Sequence, residues 1–312
     1  MESSQPEHFI TLPLVSRDEN SLLPLAINVV AKYWGEDLEQ YVQGKGPPRG
    51  ILIDGIELAE KHGLACYIYK GSLKDLKKRI DQGIPVIAIT PGIQDVAQHA
   101  TVVSGYDSEE RRILTYVPEP DTVGAVPEMK FEQDWEQDDM TAIALIPSDM
   151  QDLLRKDDLK LAKSNRLCFE AERLRQQGNA SAAMEKLLQA TEIDPENAGA
   201  WSQLAGMYNE QGSDRAVACY ERAIKLNPRY YLAYRGLGNY YLKKQDYSLA
   251  EAYYSKAIEI NRSRFGPIYK NRAVARIQLG NNAGAKDDLK MYLDQTPGAQ
   301  DRKSIEDALS QL

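Results

Sequence analysis

The sequence predicts an α+β domain followed by an all-helical repeat array. Short β-branched runs bounded by Gly, Pro or Asp alternate with helical segments in the first half, whereas almost everything after residue 149 has helical spacing. Charge follows the same division, because residues 1–147 contain 13 Lys+Arg and 24 Asp+Glu of the 38 and 46 in the chain. Halves of opposite sign indicate domains with different partners, or domains that attract each other.

The first half contains strands, a hairpin and two glycine-terminated helices. The strand-like runs are IPVIAIT (84–90), ATVVSGYD (100–107), ILTYV (113–117) and IALIP (143–147). The turn SEERR between the second and third runs predicts a hairpin. The segments 55–63 and 73–83 have helical spacing and end at glycine, which is typical of a helix C-terminus. Residues 1–147 therefore form the predicted α+β domain.

The second half repeats with a period of about 33 to 35 residues. Small and large residues recur together, as in Trp201, Leu204, Ala205, Tyr208, Gly212, Ala216, Tyr220, Ala223 and Pro228. Small residues let two helices approach closely, and a proline ends the second helix of a unit. The pattern resembles the tetratricopeptide repeat. It implies a superhelix of about four units over 164–299, a helical linker over 148–163 and a capping helix over 300–312.

The stretch NSLLPLAINVVAKYWG (20–35) predicts a helix that begins at Pro24 and ends at Gly35. Its frame resembles that of the bacteriocin-processing peptidases, family C39. Those papain-like enzymes carry Cys-Gly-Pro before a helix that ends near Tyr-Trp-Gly. Here Leu22 stands where the family has its catalytic cysteine.

The strand QHATVVSGYD (98–107) supports this resemblance, because His99 falls on the family's catalytic histidine. The family has an aspartate just before a proline at the next strand end, and this chain has Val117 there. Ser16 and Arg17 lie where the oxyanion-hole glutamine is usual. The resemblance covers roughly residues 8–147. It implies a bacterial, papain-like domain whose catalytic residues are absent, with His99 as a remnant.

Without a thiol, an orienting carboxylate and oxyanion donors, cysteine-peptidase chemistry has no basis here. The cysteines, Cys66, Cys168 and Cys219, are odd in number and have neither metal-ligand nor disulfide spacing. The sequence also lacks a Gly-rich phosphate loop and a cluster of metal ligands, so no nucleotide, metal or cofactor is expected. The first domain is interpreted as a pseudopeptidase used for recognition. The alternative is an active cysteine-peptidase-like enzyme with an unrecognised nucleophile.

The candidate binding site lies in residues 221–276, which contain 12 Lys+Arg, 4 Asp+Glu and nine tyrosines. The first helices of the third and fourth units are expected to present Arg235, Asn239, Lys243, Lys270 and Asn271 to a groove. Some repeat proteins hold a C-terminal carboxylate with a cation, an asparagine one turn later and an asparagine on the next unit. Arg235, Asn239 and Asn271 resemble the first part of that clamp. Asp301 and Ile305 stand where its second basic pair would be.

These residues predict an adaptor that binds a protein or an acidic peptide within a larger complex. The alternatives are a solvated basic face and an RNA-binding repeat protein. The pI of about 5.2 argues against nucleic acid. Tyr230, Tyr231, Tyr240 and Tyr253 exceed the tyrosines that repeat packing demands. No apolar run reaches the roughly 18 residues of a membrane helix, and no signal peptide begins the sequence, so a cytoplasmic location is expected, or a periplasmic one if a leader was removed.

Overall fold

The computed structural model describes residues 8–15, 24–41, 52–92, 94, 96–119 and 122–312. The chain divides into two units, and both are discontinuous. The first contains residues 1–89, 100–135 and 140–173, and the second contains 90–99, 136–139 and 174–312. The predicted order of an α+β part followed by a run of helices is confirmed. The domain limits at 147, 163 and 299 remain predictions.

The strands of the described chain form one sheet. They are β1 (His8–Phe9), β2 (Leu64–Lys70), β3 (Val86–Pro91), β4 (Gln98–Asp107), β5 (Arg112–Tyr116), β6 (Val123–Pro127) and β7 (Thr141–Pro147). The order is β2-β7-β3-β4-β5-β6, and β1 pairs with β4. The predicted hairpin is β4–β5, in which Tyr106 lies opposite Ile113.

Helices cover both faces of this sheet. Successive strand residues point to opposite faces, so neighbouring residues of one strand contact different helices. The helices before the repeats are α1 (Leu25–Tyr33), α2 (Leu52–Lys61), α3 (Leu73–Asp81), α4 (Glu128–Glu136) and α5 (Asp152–Arg155). On β7, Ile143 packs in the cluster that contains Ile27 and Val30 of α1. Its neighbour Ala144 packs in the other cluster, with Leu76 of α3. The sheet is therefore buried on both sides.

The segment that follows the sheet is held on the first unit by ion pairs. Arg79 of α3 is 1% exposed and pairs with Asp157 and with Asp75. Hydrogen bonds from Lys78 and Arg79 hold the pKa of Asp157 below its ordinary value. Helix α6 (Ala162–Gln176) is attached to α2 through Arg166–Glu60 at 2.6 Å and Arg173–Glu57 at 2.7 Å. The first unit consequently extends to Arg173.

The second unit is a series of helix pairs. Its helices after α6 are α7 (Ala180–Ile193), α8 (Ala198–Glu210), α9 (Arg215–Leu226), α10 (Tyr231–Lys243), α11 (Tyr247–Ile260), α12 (Pro267–Gln278), α13 (Asn282–Gln295) and α14 (Arg302–Gln311). Tyrosine rings pack against glycines between these helices. A Cβ atom at Gly236 would lie 2.3 Å from the Tyr220 ring, and one at Gly238 would lie 2.5 Å from the Tyr254 ring.

Three of the four tyrosines expected to exceed the needs of packing belong to the repeat core, whereas Tyr253 is half-buried and its ring stacks on that of Tyr241. Tyr230, Tyr231 and Tyr240 are 6%, 0% and 5% exposed, so the expectation that packing does not need them is wrong. Tyr231 donates a hydrogen bond to the carbonyl of Arg264, and Tyr240 donates one to Asp214. The phenols of Tyr231 and Tyr240 thus satisfy polar partners while their rings fill space. Within the described ranges no helix is long and apolar enough to span a bilayer.

Candidate binding site in the repeat unit

The peptidase-like frame is only partly within the described structure. Leu22, Ser16 and Arg17, which stand at the expected cysteine and oxyanion positions, lie outside the described residues. Helix α1 begins directly after Pro24, as predicted. His99 lies at the start of β4, is exposed, and belongs to the second unit. Val117 follows β5, and its hydrocarbon side chain cannot orient an imidazole.

The three thiols are poor nucleophiles in their surroundings. Burial raises the pKa of Cys66, with a smaller contribution from Glu60 in the same direction. Burial raises the pKa of Cys168 to about 12 and also raises that of Cys219. The thiolate is the reactive form, so these shifts suppress reaction near neutral pH.

We expect the native protein to react slowly with a thiol-specific disulfide reagent at pH 8. All three cysteines should react fully once the chain is unfolded in guanidinium chloride, because unfolding restores ordinary thiol acidity. The measurement is the rate of chromophore release with and without denaturant. A fast native phase of one thiol would instead favour an enzyme with a cysteine nucleophile.

The second unit brings the predicted asparagines together. Asn239 lies on α10 one turn after Arg235, and Asn271 lies on α12. The Nδ2 of Asn271 donates to the Oδ1 of Asn239 over 3.3 Å, and Tyr254 donates to the same oxygen over 2.8 Å. The Asn239 oxygen therefore accepts two hydrogen bonds, and its amide nitrogen can donate to a ligand.

Arg235 carries a charge that no described carboxylate neutralises through an ion pair. Its guanidinium carbon lies 4.7 Å from the centroid of the Phe265 ring. Its Nε is buried and has no hydrogen-bond acceptor among the described residues. Burial lowers the pKa of Arg235 from its ordinary value. A desolvated guanidinium beside an aromatic ring favours an anionic partner strongly, because little water competes for it.

The two predicted lysines are already engaged. Lys270 forms a 2.8 Å ion pair with Asp301, which also accepts a hydrogen bond of 2.7 Å from Tyr292. Lys243 is exposed and donates over 3.1 Å to the carbonyl of Asn209 at the end of α8. The aspartate found where a basic residue was expected thus neutralises the cation of the neighbouring helix. Arg235 differs from both lysines in that its buried Nε has no described hydrogen-bond acceptor.

A second polar network was missed by the sequence reasoning. Asp138 and Arg264 form a 2.6 Å ion pair in which both side chains are 0% exposed. The Nε of Arg264 donates over 3.0 Å to the carbonyl of Ala97, and Gln98 donates over 2.8 Å to Asp138. Both segments that supply these partners, 90–99 and 136–139, belong to the second unit. The repeats therefore hold an acidic segment of this same chain.

Asparagines at equivalent places in two successive units secure that segment. Asn227 follows α9 and donates to the carbonyl of Glu136 over 2.7 Å and to Asp139 over 3.2 Å. Asn261 follows α11 and donates to Gln137 over 3.2 Å. In the sequence, the run EQDD (136–139), together with the asparagine that follows the second helix of two successive repeats, could have indicated this contact. We define residues 136–139 as the acidic segment.

No group of His, Cys, Asp and Glu that could hold a metal ion occurs in the parts of the chain that the structure describes. The described site consists of one desolvated guanidinium, two amides and several phenols. Such donors bind anions and peptide groups through hydrogen bonds. Binding of an anion or a peptide group is chemistry that this arrangement offers.

Two family models match the chain, one in each half. The tetratricopeptide repeat model matches residues 209–264, and the Peptidase_C39 like family matches residues 55–143. No curated protein matches the chain.

Three similar solved structures cover about half of this chain. MamA is 17% identical, and the match covers 45% of this chain and 84% of the MamA chain, with a TM-score of 0.40. PilF of Pseudomonas aeruginosa is 18% identical, with 48% and 76% covered and a TM-score of 0.43. A tetratricopeptide repeat protein of Parabacteroides merdae is 18% identical, with 47% and 59% covered and a TM-score of 0.42. The two family matches confirm that the chain carries a peptidase C39-like segment followed by tetratricopeptide repeats.

Proposed function

We propose that this protein is a non-enzymatic adaptor whose repeats bind an acidic segment of a protein partner. The observation that carries the proposal is Arg235, a desolvated guanidinium without a carboxylate partner among the described residues. The tetratricopeptide match supports a protein partner. We name the predicted set Arg235, Asn239, Lys243, Lys270 and Asn271 the basic groove.

Within the basic groove, the residues have different roles. Arg235 would bind a carboxylate through two parallel N–H bonds, which the planar guanidinium favours. Asn239 and Asn271 would contact the peptide backbone, because a free amide group can pair with a C=O or N–H regardless of sequence. Lys270 would contribute little, since Asp301 already neutralises it.

The first unit would act as a recognition domain and not as a peptidase. Three features support this role: the leucine at the expected cysteine position, the valine at the expected aspartate position, and raised pKa values of the thiols. Membership of a larger complex is part of the same proposal, since an adaptor needs at least two partners.

The proposal is tested by fluorescence anisotropy with the full chain and two dodecapeptides. The acidic probe is a fluorescein-labelled, C-terminally amidated peptide with Glu at every third position among Gly and Ser. The neutral probe has Gln in place of Glu. We expect the acidic probe to bind at least about tenfold more tightly, and to weaken as salt is raised. Equal affinity for both probes, or no binding of either, would contradict the proposed function.

A further inference from the structure

Two guanidinium groups and one carboxylate meet in a single cluster of the second unit. Tyr231 and Arg235 lie one turn apart on α10, so they share one face of the helix. The guanidinium carbon of Arg264 lies 4.4 Å from the Tyr231 ring centroid, and that of Arg235 lies 4.7 Å from the Phe265 ring centroid. Arg264 thus packs on Tyr231, and the next residue, Phe265, packs on Arg235. We name these four residues and Asp138 the arginine cluster.

The charges in the arginine cluster do not balance. Asp138 pairs with Arg264 over 2.6 Å and leaves Arg235 as the uncompensated charge. Burial raises the pKa of Asp138, whereas Arg264, Gln98 and Arg235 act in the opposite direction. Both arginines therefore favour the ionised form of Asp138. In such a desolvated place, charges interact more strongly than they do in water.

We infer that Asp138 is an internal competitor of the partner's carboxylate and sets the affinity of the basic groove. This inference rests on the proposed function and concerns its regulation. A carboxylate that binds Arg235 would lie in the field of Asp138, because Asp138 pairs with Arg264 and Arg235 packs on the next residue, Phe265, and like charges repel. Asp138 does not need to leave Arg264 for this effect, since the repulsion acts through space.

The acidic segment is fixed firmly enough to act as a constant opposing charge. Asn227 and Asn261 hold it through three hydrogen bonds, and Arg229 pairs with Glu136 over 3.1 Å. Gln98 donates a further hydrogen bond to Asp138. A bound partner would consequently always be repelled by this charge. Removal of the charge should therefore raise the affinity of the protein for its partner measurably.

The test is the affinity of the full-length variant Asp138→Asn for the acidic probe. Asparagine keeps the shape of the side chain and an oxygen for Arg264, but it removes the negative charge. We expect the acidic probe to bind about fivefold or more tightly than it binds the wild type. The neutral probe should bind both proteins equally. Glu136→Gln is the matched control, because it removes one charge from the same segment at the 41% exposed pair with Arg229.

A second variant keeps the inference testable if Asp138→Asn does not fold. The double variant Asp138→Leu with Arg264→Met removes one charge of each sign and fills the space with apolar groups. Its affinity for the acidic probe should equal that of the wild type, because the two charges oppose each other. A weaker affinity would show that Asp138 does not offset Arg264, and would overturn the inference.

The remaining outcomes separate this inference from the proposed function. If wild type prefers the acidic probe but folded Asp138→Asn binds it no more tightly, the competitor role is refuted and the proposed function stands. If the wild type does not prefer the acidic probe, the proposed function itself fails. Circular dichroism and thermal unfolding of each variant establish that it is folded.

Discussion

Replacing Asp138 by leucine is expected to lower the free energy of unfolding by about 3–5 kcal/mol, because Arg264 would remain buried without its carboxylate. Chemical denaturation followed by circular dichroism measures this loss. The melting temperature should fall by roughly 2–4 °C for each kcal/mol, as is usual for domains of 150–250 residues.

The double variant Asp138→Leu with Arg264→Met is the control for that prediction. Removal of a buried ion pair together with both of its charges is often neutral or stabilising, so the double variant should be close to the wild type. Burial raises the pKa of Asp138, which is the direction expected where desolvation opposes the ionised form. A single variant as stable as the double variant would mean that the ion pair is not buried as described.

The second large effect is expected at Arg235. Arg235→Met should weaken binding of the acidic probe by more than about tenfold, because a charged, bidentate hydrogen bond contributes about 1.5–3 kcal/mol. Methionine keeps an apolar chain against Phe265, so the helix packing should be retained. Fluorescence anisotropy of the acidic probe against both proteins gives the ratio of affinities.

Lys256→Met is the matched control for the Arg235 variant. Lys256 lies on α11 and forms an exposed pair with Glu259, so its loss removes the same charge outside the basic groove. It should change the affinity of the acidic probe by less than about threefold. Equal weakening by both variants would indicate a general effect of net charge in place of a site at Arg235.

Periodic features of the fold could be predicted from sequence, because equivalent positions in successive repeats have equivalent neighbours. The recurrence of small and large residues predicted closely packed helix pairs, and the rings of Tyr220 and Tyr254 do pack on glycine. The run around His99 predicted a strand, and β4 begins at Gln98. The trio Arg235, Asn239 and Asn271 could be named from repeat positions, and the two asparagines do contact each other.

The parts that could not be predicted depend on segments far apart in the chain. Nothing in the repeat period indicates that Asp301 pairs with Lys270 or that Asp138 pairs with Arg264, since the partners are 31 and 126 residues apart. The same reason explains the error on Tyr230, Tyr231 and Tyr240. The phenols of Tyr231 and Tyr240 are satisfied by Arg264 and Asp214, which a consensus position does not specify.

Photo-cross-linking of the acidic probe to the full-length protein tests whether the bound peptide lies in the basic groove. A benzophenone placed beside one Glu of the probe, followed by peptide mapping, reports which helices line the bound peptide. We expect cross-links to α10 and α12 that disappear in Arg235→Met and persist in Lys256→Met. Cross-links confined to the first unit, or unaffected by Arg235→Met, would contradict this expectation.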